Sequence, residues 1–429
     1  MSQNNLFESE ERIIVGLDVG TTKVCALVAR EGPGQPPEII GVGQSPSRGL
    51  RKGVVVDIAK TVASIRGALD EAARSAGLTP EHAVVGIAGD HVMSTNNSAA
   101  VTVRKSGRVI DAKLRDRVIH KSLNAQVPQG YRVIHAIPRE FILDGVDGVL
   151  EPLGMSAKLI EVKTHIVLGA IPSIANLVKC VQMAGIGVSD IVLEPIASAE
   201  AVLTPDEREL GTALIDIGGG TTDLAVFNEG NICHTKVLPF GGNHVTRDVA
   251  VGLRVSLEEA EAIKIKSGLA SRRLADPTAV IKVKDIYSHR ARSVLTANLA
   301  DIIGARMEEM FAMVKRELDA AGMTKLLAGG IVLTGGASQL KGIEKLAHES
   351  LGVPARVGRP TNITGPAAIV KNGVYATGVG LLLYSAAHAA SEERDVGGQA
   401  SLADITGRIK NWFSETISVT VLGRKNTKL

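Results

Sequence analysis

Two glycine-rich turns of nearly the same spelling, about two hundred residues apart, leave this chain few folds to choose from. The first reads Asp18-Val19-Gly20-Thr21-Thr22-Lys23. The second reads Asp216-Ile217-Gly218-Gly219-Gly220-Thr221-Thr222-Asp223. Each follows an apolar run, 13–17 and 213–215, and precedes another, 24–29 and 224–227, so each spells strand, tight turn, strand. A single hairpin needs glycine only for its turn. Two matching hairpins, each with Asp before and Thr-Thr after, point to a phosphate clamp. Glycine leaves successive backbone N–H groups open to an anion, and the threonine hydroxyls add donors. Asp18 and Asp216 would repel phosphate directly but suit Mg²⁺ held through water, since this hard cation sheds its water reluctantly.

Other motifs narrow the chemistry. There is no G-x-x-x-x-G-K-[ST], no G-x-G-x-x-G opening a helix after a strand, no H-E-x-x-H and no G-x-S-x-G. A third glycine turn, Leu333-Thr334-Gly335-Gly336-Ala337-Ser338, sits where a strand meets a helix, a place where a flat ring or a phosphate can approach the backbone. Composition argues against nucleic acid as a partner: the net charge is only +3 and aromatics are 3%. Cys25, Cys180 and Cys233 are scattered and odd in number, which fits reduced thiols rather than a disulfide framework or a metal site. Residues 1–12 are polar and acidic, unlike a signal peptide, and the longest apolar stretch, 378–390, is too short to span a bilayer and reads as a core helix.

At 429 residues the chain has room for several domains, and its rhythm is α/β. A first half covers 1–90, with strands at 38–43, 53–57 and 83–88 and a helix at 61–76. An inserted segment, 91–162, breaks the rhythm with a helix near 113–122 and a strand at 131–137, followed by Pro138, Gly145, Gly148, Pro152 and Gly154. The first half resumes over 163–210 with a strand at 164–170 and a helix at 174–184. A second half covers 211–390, mostly helical between 243 and 327, with a long helix at 293–320 and a strand at 331–334. A polar linker, 391–400, leads to a tail, 401–429. There Leu402, Ile405, Ile409, Trp412, Phe413 and Ile417 recur at helical spacing, with Arg408, Lys410 and Asn411 largely off the stripe and Arg424, Lys425 and Lys428 at the end. Such a stripe fits a helix lying in a membrane interface or a terminal helix docked on its own core.

The order hairpin, helical connector, hairpin, glycine turn, apolar helix resembles the actin-like ATPase superfamily, in which connectors matching 187–203 and 376–385 pack as a hinge. Four segments resemble the bacterial cell-division FtsA family more closely. They are Ser47-Arg48-Gly49-Leu50-Arg51-Lys52-Gly53-Val54-Val55-Val56-Asp57, His135-Ala136-Ile137-Pro138-Arg139-Glu140-Phe141, Pro152-Leu153-Gly154-Met155, and Leu203-Thr204-Pro205-Asp206-Glu207-Arg208-Glu209-Leu210-Gly211. The insertion matches that family's extra subdomain.

The resemblance implies two α/β halves around a nucleotide cleft with an inserted small α+β subdomain used in self-contact. It implies ATP and Mg²⁺ as ligands. Gly20, Thr21, Thr22 and Lys23 would hold one side of the phosphates, and Gly218, Gly219, Gly220, Thr221 and Thr222 the other. Glu261 and Lys264 would touch adenosine and ribose, although from sequence alone they read as a solvated helix pair. Gly335, Gly336 and Ala337 would flank the adenine. Glu194, in Val192-Leu193-Glu194-Pro195, would orient an attacking water or serve as a glutamate favourably placed at a helix start. Hydrolysis would be slow at most and would serve polymerisation. The partners implied are FtsZ, contacted through helices between 243 and 320, further copies of the chain, other divisome proteins, and anionic lipid through the C-terminal helix. The location implied is peripheral, on the cytoplasmic face of the inner membrane at the division site. The rivals are a pilus-assembly ATPase like PilM and a small-molecule kinase or phosphatase of the same superfamily.

Overall fold

The computed structural model describes residues 11–395 apart from 33, 104–108, 124–126 and 289. The tail expectation, with Leu402, Ile405, Ile409, Trp412, Phe413 and Ile417, lies outside the described residues.

The chain opens with an antiparallel meander of β1 (Arg12–Val19), β2 (Lys23–Glu31) and β3 (Glu38–Pro46). The strand expected at 53–57 is instead a miniature hairpin of β4 (Leu50–Arg51) and β5 (Val54–Val55). Lys52 and Gly53 both adopt positive φ, the primed turn that reverses a chain in two residues. Helix α1 (Ile58–Ala76) starts where the Asp57 side chain accepts from Lys60 N–H, and its buried face includes Val62, Ile65, Ala68 and Leu69. β6 (His82–Ile87) then pairs parallel with β1.

The inserted unit contains most of β7 (Val92–Thr102), α2 (Ala112–Leu123), most of β8 (Tyr131–Leu143), β9 (Val146–Val149) and the first part of β10 (Leu159–Ala170). Its strands follow the order β7-β10-β8-β9. It has its own core, built on Ile110, Val118, Ile119, Phe141, Ile160 and Val162. β8 runs on through Pro138 to Leu143, beyond the strand expected at 131–137, and pairs with β9 through Phe141 and Leu143.

Back in the larger unit, α3 (Ile171–Met183) leads to β11 (Gly187–Leu193), which pairs parallel with β6 and completes the sheet β11-β6-β1-β2-β3. α4 (Glu194–Val202) and α5 (Pro205–Leu210) follow. The second half then repeats the plan. β12 (Thr212–Ile217), β13 (Thr222–Asn228) and β14 (Asn231–Leu238) form a meander. α6 (Gly242–Leu253) and α7 (Leu257–Ser267) come next.

The region 243–327 is not helical throughout. β15 (Val280–Lys284) and β16 (Ala291–Leu295) make a hairpin, so the long helix α8 (Thr296–Ala320) starts three residues later than its apolar period predicts. Pairing with β15 holds 293–295 extended, and tertiary context outweighs the local period. β17 (Ile331–Thr334) pairs parallel with β12, and after α9 (Ile343–Leu351), β18 (Ala355–Val357) pairs parallel with β17. The second sheet is therefore β14-β13-β12-β17-β18, the first sheet's plan again. Its core gathers Ile215, Leu224, Val249, Leu299, Met307, Met310, Phe311 and Leu333, so the methionines at 307 and 310 are packing residues.

α10 (Ala367–Val370) is short. α11 (Ala376–Asp395) closes the described chain, extending to Asp395 through the start of the stretch read as a linker. α4 and α11 cross with backbones nearly touching. A Cβ added at Gly380 would lie 1.8 Å from the Ala197 carbonyl oxygen, so only glycine permits the crossing.

Candidate functional site

The shared sheet plan brings the chemistry together. β1 and β12 each end in an aspartate and a glycine turn. β11 ends just before Glu194, and β17, bonded to β12 with Thr334 opposite Asp216, ends just before Gly335. Ligands of α/β sheets collect at such carboxyl ends of parallel strands. Here a cavity of about 600 Å³ lies at those ends. It is lined by Asp18, Gly20, Thr21, Thr22, Lys23, Glu194, Asp216, Gly218, Gly219, Thr221, Glu261, Lys264, Gly335, Gly336 and Ala337.

Two of the residues predicted to grip phosphate do not line it. Gly220 faces Thr21, whose side-chain atoms would lie 2.8 Å from an added Cβ. Thr222 is buried, and its hydroxyl donates to the Phe240 carbonyl at 2.8 Å. Lys23 lines the cavity, but its ammonium donates to the Val374 carbonyl at 3.0 Å and sits 4.2 Å from the centre of the Tyr375 ring. Lys264 departs from the solvated-pair reading. It is buried, forms a 2.7 Å ion pair with Glu261, and donates to Thr246 Oγ1 at 2.9 Å and the Gly242 carbonyl at 3.2 Å. The two turns face each other closely: a Cβ on Gly219 would lie 1.8 Å from Thr22 Oγ1.

A group of carboxyls forms one wall. Asp18, Asp216 and Asp223 are buried, and Glu194 opens partly to the cavity. Asp223 stood in the second motif without a role. The hairpin's register puts it directly across from Asp216, a like-charge pair that costs stability unless something compensates. The motif's own turn length was the signal: it sets residues 216 and 223 opposite. One Asp223 oxygen, Oδ1, is buried with no hydrogen-bond partner among the described residues.

Burial, with Asp18, Asp223 and Asp216 adding to it, pushes the Glu194 carboxyl well above its ordinary range. Burial, with Asp216 and Asp18 adding to it, does the same for Asp223. Burial also raises Asp216, against the pull of hydrogen bonds from Ser198 and Thr377 and of the Lys23 charge. Asp18 is pushed up to about 6 by burial and by Asp216, with Lys23 pulling the other way. A cation with its own water shell fits such a wall. Among the described residues no three acidic, histidine or cysteine side chains converge closely enough to hold an ion together.

The Asp18 shift has a measurable consequence. An acid whose pKa is higher in the fold than in the unfolded chain binds its proton more tightly when folded. Stability therefore falls as pH rises from about 4 to about 6, and the cost is complete above that. Asp18→Asn is expected to melt higher than the parent at pH 7.5 without added divalent cation, with the gap closing below about pH 4. Thermal melts across pH check this, and a variant melting no higher at pH 7.5 would contradict it.

Comparison with known proteins agrees with this architecture. The family model described as cell division protein FtsA matches residues 213–380, and the SHS2 domain inserted in FtsA matches residues 89–168. The FtsA of Pseudomonas aeruginosa is 44% identical over 373 residues, covering 87% of this chain and 89% of that protein. The FtsA of Neisseria meningitidis is 38% identical over 419 residues, covering 95% and 100%. The FtsA of Escherichia coli K12 is 34% identical over 413 residues, covering 94% and 96%. Among solved structures, a chain of the PilM–PilN type IV pilus biogenesis complex superposes with a TM-score of 0.63 at 17% identity, covering 86% of this chain and 98% of its own. MreB5 of Spiroplasma citri bound to ADP superposes with a TM-score of 0.54 at 15% identity, covering 89% and 98%. These structural likenesses show the fold, which is that of the actin-like ATPases.

Proposed function

Because the chain belongs to the FtsA family of cell-division proteins, we propose that it binds ATP with Mg²⁺ in this cavity, polymerises, and tethers the FtsZ ring to the cytoplasmic face of the inner membrane. The observation that carries the nucleotide part is the pair of matched turns facing each other across a wall of carboxyls. MreB5, which shares the fold, is described bound to ADP and to AMPPNP. The identity to FtsA proteins over most of the chain favours division over the pilus role of the PilM-like alternative.

In this reading Gly20, Thr21, Thr22, Gly218, Gly219 and Thr221 cradle the phosphates with backbone N–H groups and hydroxyls. Glu261 and Lys264 meet the sugar, and Gly335, Gly336 and Ala337 lie against the base. Asp18, Asp216 and Asp223 hold the waters of the cation, which supplies charge to neutralise the phosphates. Glu194 orients a water toward the terminal phosphate. Hydrolysis in this reading is slow at most and serves assembly. The inserted unit exposes Val109, Val146 and Leu150, apolar side chains suited to a contact with another copy. No helix among the described residues is long and apolar enough to cross a membrane, and attachment in this reading rests on the stripe from Leu402 to Ile417.

Electron microscopy on an anionic lipid monolayer tests the proposal. Filaments are expected on the lipid with Mg²⁺ and ATP and few without nucleotide. A bare monolayer at saturating ATP would overturn it.

A further inference from the structure

Asp216 is held from behind by two hydroxyls that come from two different helices. Ser198, fully buried on α4, donates to Asp216 Oδ2 at 2.7 Å. Thr377, on the first turn of α11, lies 3.0 Å from Ser198 Oγ and 3.3 Å from the same Oδ2. Ser198 gives its proton to that oxygen, and the Thr377 hydroxyl lies within hydrogen-bond reach of both Ser198 Oγ and the same Oδ2, so the two side chains hold one carboxylate oxygen together. The other oxygen, Oδ1, points toward the third glycine turn, where a Cβ on Gly335 would come within 2.3 Å of it.

The geometry points to Ser198 and Thr377 as positioning residues for the divalent cation: by holding Oδ2 they fix the orientation of the Asp216 carboxylate, which lines the cavity. The bland alternative is that two short polar side chains merely fill the α4–α11 crossing. It predicts general loosening, whereas positioning predicts a selective loss of cation dependence. Ser198 is fully buried behind the cavity, whereas Thr377 is among the residues that line it. Both act through Asp216, and the inference rests on the ATP·Mg²⁺ reading of the cavity.

The test titrates Mg²⁺ into the full chain with a fluorescent ATP analogue, alongside a parallel titration of the analogue in EDTA. Ser198→Ala is expected to raise the Mg²⁺ concentration at half-maximal binding about tenfold, the loss of one hydrogen bond to a charged group. Affinity in EDTA should stay within about twofold of the parent, since that bond serves only the ion. Thr377→Val, which removes the longer of the two contacts to the carboxylate, should shift the midpoint about threefold, and Thr377→Ser should restore it. Thr377→Val and Thr377→Ser also keep the test open if Ser198→Ala fails to fold. Equal loss in EDTA and in Mg²⁺, or an unmoved midpoint in a folded variant, would overturn the assignment while leaving the ATP reading standing. A parent protein that binds no analogue at any Mg²⁺ concentration would overturn both.

Discussion

Gly219→Val is expected to weaken ATP binding about a hundredfold while the protein still melts cooperatively. The two turns approach so closely that a Cβ at this position would lie 1.8 Å from Thr22 Oγ1 and 3.1 Å from Thr22 Cβ. Rotating the hydroxyl leaves the second contact, which asks the turns to give by a few tenths of an ångström, and the branched methyls of valine then need further room between them. Displacing groups that grip one phosphate chain carries a penalty of this order. The reason differs from the one the sequence offers, where a side chain at Gly219 would fill the phosphate position itself. In the structure the first obstacle is the opposite turn. Isothermal titration with Mg²⁺ and ATP measures the effect, and unchanged affinity in a folded variant would remove the two-turn clamp from the proposal.

Trp412→Glu, or removal of 401–429, is expected to release the protein from anionic liposomes and to spare ATP binding. Burying large apolar side chains yields about 1.5–3 kcal/mol each, and helix ordering with partial burial takes much of that back. One tail should therefore bind weakly and reversibly. Many tails on one filament act together, so filaments should sediment with liposomes better than monomers do. Equal sedimentation of the parent and the Glu variant would mean that the stripe docks on protein, and the membrane part of the proposal would fall.

The parts of the fold legible in the sequence are those fixed by short-range rules. The two turns spell their own hairpins, and α1 announces itself by Asp57 as its cap and Val62, Ile65 and Leu69 on one face. The strand β16 was hidden because 293–295 continue the apolar period of α8. Only pairing with β15 across the hairpin sets them apart. Within the site, the direction of Lys23 was not legible, since its partners are Val374 and Tyr375, some three hundred and fifty residues on. The burial of Lys264 depends on Thr246 and Gly242 from the neighbouring helix α6. Ser198 and Thr377 look like ordinary small residues in Glu194-Pro195-Ile196-Ala197-Ser198 and Ala376-Thr377-Gly378. Their chemistry exists only because two helices bring them to one carboxylate.

The crossing of α4 and α11 at Ala197 and Gly380 governs what kind of motion the large unit can make there. Interlocked side chains resist both turning and sliding, because each must leave its socket. Backbone laid directly on backbone has no sockets at that point, so it resembles a plain bearing more than a gear mesh. Turning about the contact changes no rotamer at Gly380, whereas drawing the helices apart opens a void and pressing them closer meets a carbonyl. Taken alone, this contact favours a roll about it over a slide along it. A roll of a few degrees at the contact grows with distance from it, so the rims of the two halves travel farthest while the crossing itself stays in register.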